Sequence, residues 1–168
     1  MEHPTVFFEL SVMNADKPAI DPMMVAERVE KFLNLPNMPQ SWGVMLTSAP
    51  LFAEKLHDLK ACIVDKHPEV NFVIGTDTLV RIINPKYYGS SERKMLDALK
   101  AMAGAHFFVG GRLEQSVKTG NPRFVSGQEE LNRVPGTWAA QMFTIMKEPE
   151  FRIDVSSSEI RRKQQGTS

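Results

Sequence analysis

The sequence predicts an α/β protein with a parallel β-sheet and helices on both faces. Short apolar runs that end at glycine, proline or hydroxyl-rich turns alternate along the 168 residues with segments whose apolar residues recur every three or four positions. This alternation is typical of βαβ units, whose strands run parallel and are buried on both faces. Such sheets bind ligands at the carboxyl ends of their strands, so functional residues are expected there.

The first half of the chain contains two predicted strand–helix units. Residues 5–12 form the first strand, and a polar loop leads to Asp21, an N-cap residue followed by proline at the first helical position. One apolar face of this helix is formed by Val25, Val29, Phe32 and Leu33. A strand at residues 43–47 follows. The next helix has its apolar residues at Phe52, Leu56, Leu59 and Ile63.

The second half continues the same pattern. Strands are predicted at residues 72–74, 106–109 and 153–155, with a short edge strand at 123–125. A helix is expected at residues 78–83, and another is lined by Met95, Leu99 and Met102. Residues 136–146 are expected to form a helix with Trp138, Met142 and Ile145 facing inward.

Candidate ligand residues follow four of the predicted strands: Thr47, then Gly75 and Asp77, then Gly110 and Arg112, and finally Ser156, Ser157 and Ser158. Glycine lets a ligand approach the backbone at position 75. The carboxylate of Asp77 would either accept hydrogen bonds from ribose hydroxyls or cap the following helix.

The last of these segments has the features of an anion site. Ser156 stands three residues before Glu159, so a capping box can start a helix there, and Arg161 lies one turn further on. The free N–H groups of a first helical turn and a guanidinium fork both bind phosphate. The alternative is an ordinary capped surface helix with solvated arginines.

The run Val155-Ser156-Ser157-Ser158-Glu159-Ile160-Arg161 resembles the late signature of the nucleotidyltransferase superfamily that includes nicotinamide mononucleotide adenylyltransferases. The resemblance extends in order from about Phe7 to Arg162 and is strongest to cytidylyltransferase-like members. It implies a Rossmann-like sheet. The further matching segments are Phe8-Glu9-Leu10-Ser11-Val12, Asn14-Ala15-Asp16-Lys17-Pro18, Asn84-Pro85-Lys86-Tyr87-Tyr88 and Phe107-Phe108-Val109-Gly110-Gly111-Arg112.

The family joins a mononucleotide to the AMP moiety of ATP with magnesium and releases pyrophosphate, mostly by positioning and charge stabilisation. Carried over to this chain, the resemblance implies that ATP phosphates are held by Ser156, Ser157, Ser158 and Arg161, with serine at position 158 where the family has threonine. It further implies ribose contacts at Gly75 and Asp77 and acceptor-base contacts at Thr47 and either Tyr87 or Tyr88. Lys17 would reach phosphate.

The family's His-x-Gly-His pair, which holds the triphosphate, does not occur in this sequence. The four histidines are His3, His57, His67 and His106, and structural roles are expected for them. The chain therefore resembles a family member without its first strand and helix, a gap that would expose sheet edges and favour self-association. Two hypotheses remain, a nucleotidyltransferase and an inactive fragment or isoform that binds nucleotides weakly or contacts other proteins.

Composition sets the remaining expectations. One domain over residues 1–163 with a flexible tail at 164–168 suits the length, and a net charge of zero argues against a nucleic-acid or membrane surface. The single cysteine excludes an internal disulfide. No apolar run approaches the ~20 residues of a membrane span, so the cytoplasm is the expected location.

Overall fold

The computed structural model describes residues 4–13, 20–63, 68–115 and 122–153. The chain divides into two compact units, Met1–Val64 and Asp65–Ser168.

The first unit has two strand–helix pairs. Its elements are β1 (Val6–Ser11), α1 (Pro22–Leu33), β2 (Trp42–Thr47) and α2 (Phe52–Cys62). The two strands pair in parallel, with Val6 opposite Trp42 and Ser11 opposite Thr47. All four elements confirm the sequence prediction to within two residues.

Local chemistry explains where α1 begins and what it covers. Asp21 is its N-cap, and the Oδ1 atom of that residue accepts from the N–H of Met23 at 2.8 Å. Phe8 of β1 stacks on Phe32 of α1, with ring centroids 5.0 Å apart, and meets the Trp42 ring edge-on at 6.1 Å. These aromatic contacts attach α1 to one face of the β1–β2 pair.

The second unit is built around one long strand, β4 (Ala105–Gln115). Its other strands are β3 (Val70–Gly75), β5 (Pro122–Val125), β6 (Phe143–Ile145) and β7 (Arg152–Ile153). β4 pairs in parallel with β3, β6 and β7, and antiparallel with β5. The helices are α3 (Thr76–Ile82), a 3₁₀ helix (Pro85–Tyr88), α4 (Glu92–Ala101), α5 (Gln128–Leu131) and α6 (Thr137–Ala140).

The core of this unit lies against β4. Phe107 is fully buried, and its ring centroid lies 5.0 Å from those of both Phe72 and Phe143. Further fully buried residues of this unit come from α3, from α4 and its C-cap, and from β4, namely Leu79, Met95, Leu99, Met102 and Val109. Apolar contacts thus join three strands to two helices and fix the position of the β3–β4 edge.

Two predictions for this unit were wrong in detail. Residues 136–146 do not form one helix, because the chain leaves α6 after one turn and β6 pairs with β4 in register from Phe143 to Ile145. Strand pairing and burial of Phe143 outweigh the helical spacing of its neighbours. β4 also extends beyond residue 109, so Gly110 and Arg112 lie within the strand, where β5 and β7 pair with them or their neighbours.

The predicted α/β class with parallel strands is confirmed. The described strands form two small sheets, a pair and a group of five, and the finer Rossmann-like arrangement stays a prediction. Among the described residues there is no helix with the length and apolar character that a membrane span requires.

Candidate functional site

The clearest candidate site of the second unit lies where the parallel pairing of β3 and β4 ends, at Gly75 opposite Gly110. Asp77 stands in the first turn of α3, and its Oδ2 atom lies 2.6 Å from Nη1 of Arg112 on β4. The two side chains keep 61% and 37% of their accessible surface, respectively. The fold therefore brings together two of the sequence-predicted residues that are 35 positions apart, and it leaves both within reach of a ligand.

Asp77 does not cap α3. The N-cap position is Gly75, and the helix begins at Thr76, two residues earlier than predicted. The alternative that Asp77 caps the helix is therefore wrong. Its carboxylate instead accepts a hydrogen bond from Nη1 of Arg112. At this exposure such an ion pair contributes on the order of 0–1 kcal/mol to the free energy of unfolding. Ligand groups can therefore replace it at little cost in stability.

The glycines of the two strands differ in their surroundings. A Cβ atom built on Gly75 would have no heavy atom within 4 Å apart from those of its chain neighbours, so the backbone there is open to a ligand. A Cβ atom on Gly110 would lie 2.5 Å from the ring of Phe151, and one on Gly111 would lie 2.2 Å from the ring of Phe124. The close approach of these aromatic rings therefore explains why positions 110 and 111 are glycine.

Thr76 supports this edge and was missed by the sequence analysis. Its buried hydroxyl lies 3.3 Å from the carbonyl oxygens of both Gly110 and Val125, and it can donate its one proton to either. The contact ties the start of α3 to β4 and to β5. No sequence signal distinguished Thr76 from Thr78, because only strand register places it against Gly110.

The two predicted tyrosines, Tyr87 and Tyr88, differ in burial. Tyr88 is buried, and its hydroxyl donates to the carbonyl oxygen of Ile82 at 2.8 Å. Burial raises the pKa of Tyr88 to about 12. Tyr87 is half-buried, and Nζ of Lys86 lies 5.5 Å from the centroid of its ring. A packing role explains Tyr88, which leaves Tyr87 as the ligand candidate of the two.

Thr47 belongs to the first unit, at the end of β2. Its hydroxyl donates to Oε1 of Glu9 on β1, and Nζ of Lys55 on α2 donates to the same oxygen at 2.8 Å. Thr47 was predicted from the sequence, but neither of these partners was. The available signal was a lysine three residues after Phe52 and four before Leu59, beside the apolar face of the helix.

Other predicted site residues, Lys17, Ser156, Ser157, Ser158 and Arg161, lie outside the described residues. Of the histidines within them, His57 is exposed on α2, and the Nε2 atom of His106 lies 2.8 Å from Oγ1 of Thr144. Within the described ranges no three histidine, cysteine or carboxylate side chains are grouped so that they could hold a metal ion.

The second unit also contains a surface cavity of about 300 Å³ that none of the predicted residues lines. Residues of α3, of α4 and of the segment from Glu130 to Pro135 line it, and most of these side chains are apolar with three charged ones among them. The lining residues are Val80, Ile83, Asn84, Pro85, Glu92, Met95, Glu130, Arg133, Val134 and Pro135.

Comparison of the chain with models of known protein families, with curated proteins and with solved structures finds no match.

Proposed function

We propose that this protein binds a nucleotide at the β3–β4 edge, as a nucleotidyltransferase-like domain of the type that includes nicotinamide mononucleotide adenylyltransferases. The observation that carries the proposal is the exposed pair of Asp77 and Arg112 beside the open backbone of Gly75. The resemblance of the ordered sequence segments to that family supports it. A Rossmann-like arrangement and a cytoplasmic location are parts of the same proposal.

The chemistry of the edge suits a ribose phosphate. Arg112 presents a planar set of N–H donors that matches two phosphate oxygens, and the carboxylate of Asp77 accepts hydrogen bonds from ribose hydroxyls. In the protein alone each group satisfies the other, so neither charge is left without a counter-charge before the ligand arrives. The described residues contain no cluster for magnesium, and no step of this proposal passes through a protein-bound metal.

The proposal covers nucleotide binding but not efficient transfer of the adenylyl group from ATP. The sequence has no His-x-Gly-His pair, and the loss of one such charge-stabilising donor lowers a rate on the order of a hundredfold or more. We therefore expect negligible formation of dinucleotide from ATP and nicotinamide mononucleotide. Turnover at rates ordinary for enzymes, on the order of 1 per second or faster, would contradict this part of the proposal.

Calorimetry with ATP and with nicotinamide mononucleotide tests the binding. Arg112→Ala is expected to weaken binding by about 1.5–3 kcal/mol, the range for hydrogen bonds to charged groups. Arg123→Ala is the matched control. Arg123 lies on β5, the strand that pairs with β4, and its Nη2 atom forms a comparable surface ion pair with Oε1 of Glu129 at 3.0 Å. Equal affinities for wild type and Arg112→Ala would overturn the assigned role.

A further inference from the structure

The first unit contains a cluster of polar side chains that folding alone does not explain. The side chain of Lys55 keeps only 7% of its accessible surface, and its ammonium group pairs with Oε1 of Glu9. Thr47 donates its hydroxyl to the same oxygen. A buried ion pair often stabilises a protein no better than apolar residues of the same volume, so its presence calls for another explanation.

The cluster leaves an acceptor open. Both protein donors engage Oε1 of Glu9, and in the described part of the chain Oε2 has no protein partner. The Glu9 side chain keeps 30% of its accessible surface. A group that approaches from solvent can therefore donate to Oε2, and the hydroxyl oxygen of Thr47 offers a second acceptor beside it.

An exposed aromatic ring lies on the same side of the sheet. Side chains alternate along a strand, so Phe7 and Glu9 project to one face of β1, and the Phe7 residue is 51% exposed. The register places Gly43 opposite Phe7, where a Cβ atom would lie 3.2 Å from the ring. Glycine at position 43 thus leaves room for the ring, which forms a stacking surface next to the carboxylate.

We propose that Phe7, Glu9 and Thr47, supported by Lys55, form a binding site for a planar, uncharged heteroaromatic group that carries N–H donors. The ring stacks on Phe7, and the donors bond to Oε2 of Glu9 and to Thr47. Aromatic stacking and hydrogen bonding to the edge of a base are together the usual means by which proteins recognise nucleobases.

The charge balance of the cluster selects for a neutral group. Lys55 compensates the carboxylate of Glu9 from the buried side, so the site has no net charge with which to attract a cation, and the carboxylate repels an acidic ring. The site lies within the first unit and contains neither Asp77 nor Arg112.

The test uses a free base, so that ribose and phosphate contacts play no part. Adenine is titrated into the ¹⁵N-labelled full chain, with purine as the matched ligand that has the same rings but lacks the exocyclic amine. Adenine is expected to shift the amide resonances of Phe7, Glu9 and Thr47, and purine is expected to bind about tenfold more weakly, the ratio for a difference of about 1.4 kcal/mol.

Two variants and one control complete the experiment. Phe7→Ala is expected to weaken adenine binding at least about fivefold, whereas Leu46→Ala, which removes a residue of 52% exposure from the opposite face of the same strand pair, is expected to have no effect. The double variant Glu9→Gln with Lys55→Met removes both charges together and is expected to stay folded but to lose discrimination between adenine and purine.

The outcomes separate this inference from the proposed function. Absence of adenine shifts at Phe7, Glu9 and Thr47, or equal affinity of wild type and Phe7→Ala, would overturn the base site even if ATP binding depends on Arg112. Adenine shifts that disappear in Phe7→Ala would support the base site even if Arg112→Ala leaves ATP binding unchanged.

Discussion

At the scale of single residues, glycines that look alike in the sequence do different things. Gly75 ends β3 with open space beside its Cα atom, whereas Gly110 lies directly across from it under the ring of Phe151. The first position suits the approach of a ligand and the second is a packing requirement. Neither residue has a backbone conformation that only glycine adopts, so the distinction depends on the neighbouring atoms.

Alanine substitutions at these two positions make a matched pair. Gly110→Ala is expected to lower the free energy of unfolding by about 1–3 kcal/mol, because its Cβ atom would lie 2.5 Å from the Phe151 ring and force it to move. Gly75→Ala is expected to lower it by less than about 1 kcal/mol, because the Cβ atom has open space and the remaining cost is that of alanine at a helix N-cap. Urea denaturation measures both. Equal effects of the two substitutions would show that Phe151 does not restrict position 110.

At the scale of elements, Tyr88 holds the connection between α3 and α4. The 3₁₀ helix begins at Pro85 after Asn84, whose Oδ1 atom accepts from the N–H of Lys86 at 3.0 Å, and it ends before Gly89 in a left-handed conformation. The Tyr88 hydroxyl then donates back to the carbonyl of Ile82 at the end of α3. One buried phenol thus links the 3₁₀ helix to the end of α3.

Burial of the Tyr88 phenol makes the free energy of unfolding fall at alkaline pH. The folded pKa of Tyr88 is about 12, above the ordinary value of 10.0, because burial disfavours the phenolate. The stabilisation is complete below pH 10 and is lost as the pH rises to about 12, a change of about 3 kcal/mol. Urea denaturation between pH 8 and 12 measures it, with Tyr88→Phe as the control. An unaltered pH profile in Tyr88→Phe would contradict the assignment.

At the scale of the whole molecule, each unit has a strand that pairs on one side within the described part of its sheet. Among the described strands, β1 pairs with β2 alone and β3 pairs with β4 alone. Both strands carry exposed apolar side chains, Phe7 on β1 and Val73 on β3, the latter 72% exposed. β3 has no charged residue or proline within Val70–Gly75, the devices with which natural proteins protect an edge strand.

We therefore expect the isolated chain to self-associate through a sheet edge. Light scattering across a concentration series measures the association, and Val73→Lys is expected to reduce it because a lysine on an edge strand opposes pairing. Met23 is 76% exposed on helix α1, so Met23→Lys controls for added charge elsewhere. A monomer at all concentrations, with uniformly slow amide exchange through β3, would show that this edge is already protected.

The sequence by itself determined the elements whose signals are local. Asp21 before Pro22 and Ser91 before Glu92 are helix caps that need no distant partner, and α1, α2 and α4 lie close to where their periodicity predicts them. The same holds for the order of strands and helices up to residue 109. Local propensity and capping operate over a few residues, which a single sequence displays in full.

The tertiary structure decided everything that depends on pairing between distant segments. It replaced the predicted helix at residues 136–146 by β6, because register with β4 buries Phe143 against Phe107. It also paired Asp77 with Arg112 and placed Glu9 and Lys55 beside Thr47. These contacts span 35 to 46 positions along the chain. Their partners are chosen by strand register and burial, which no local pattern in the sequence encodes.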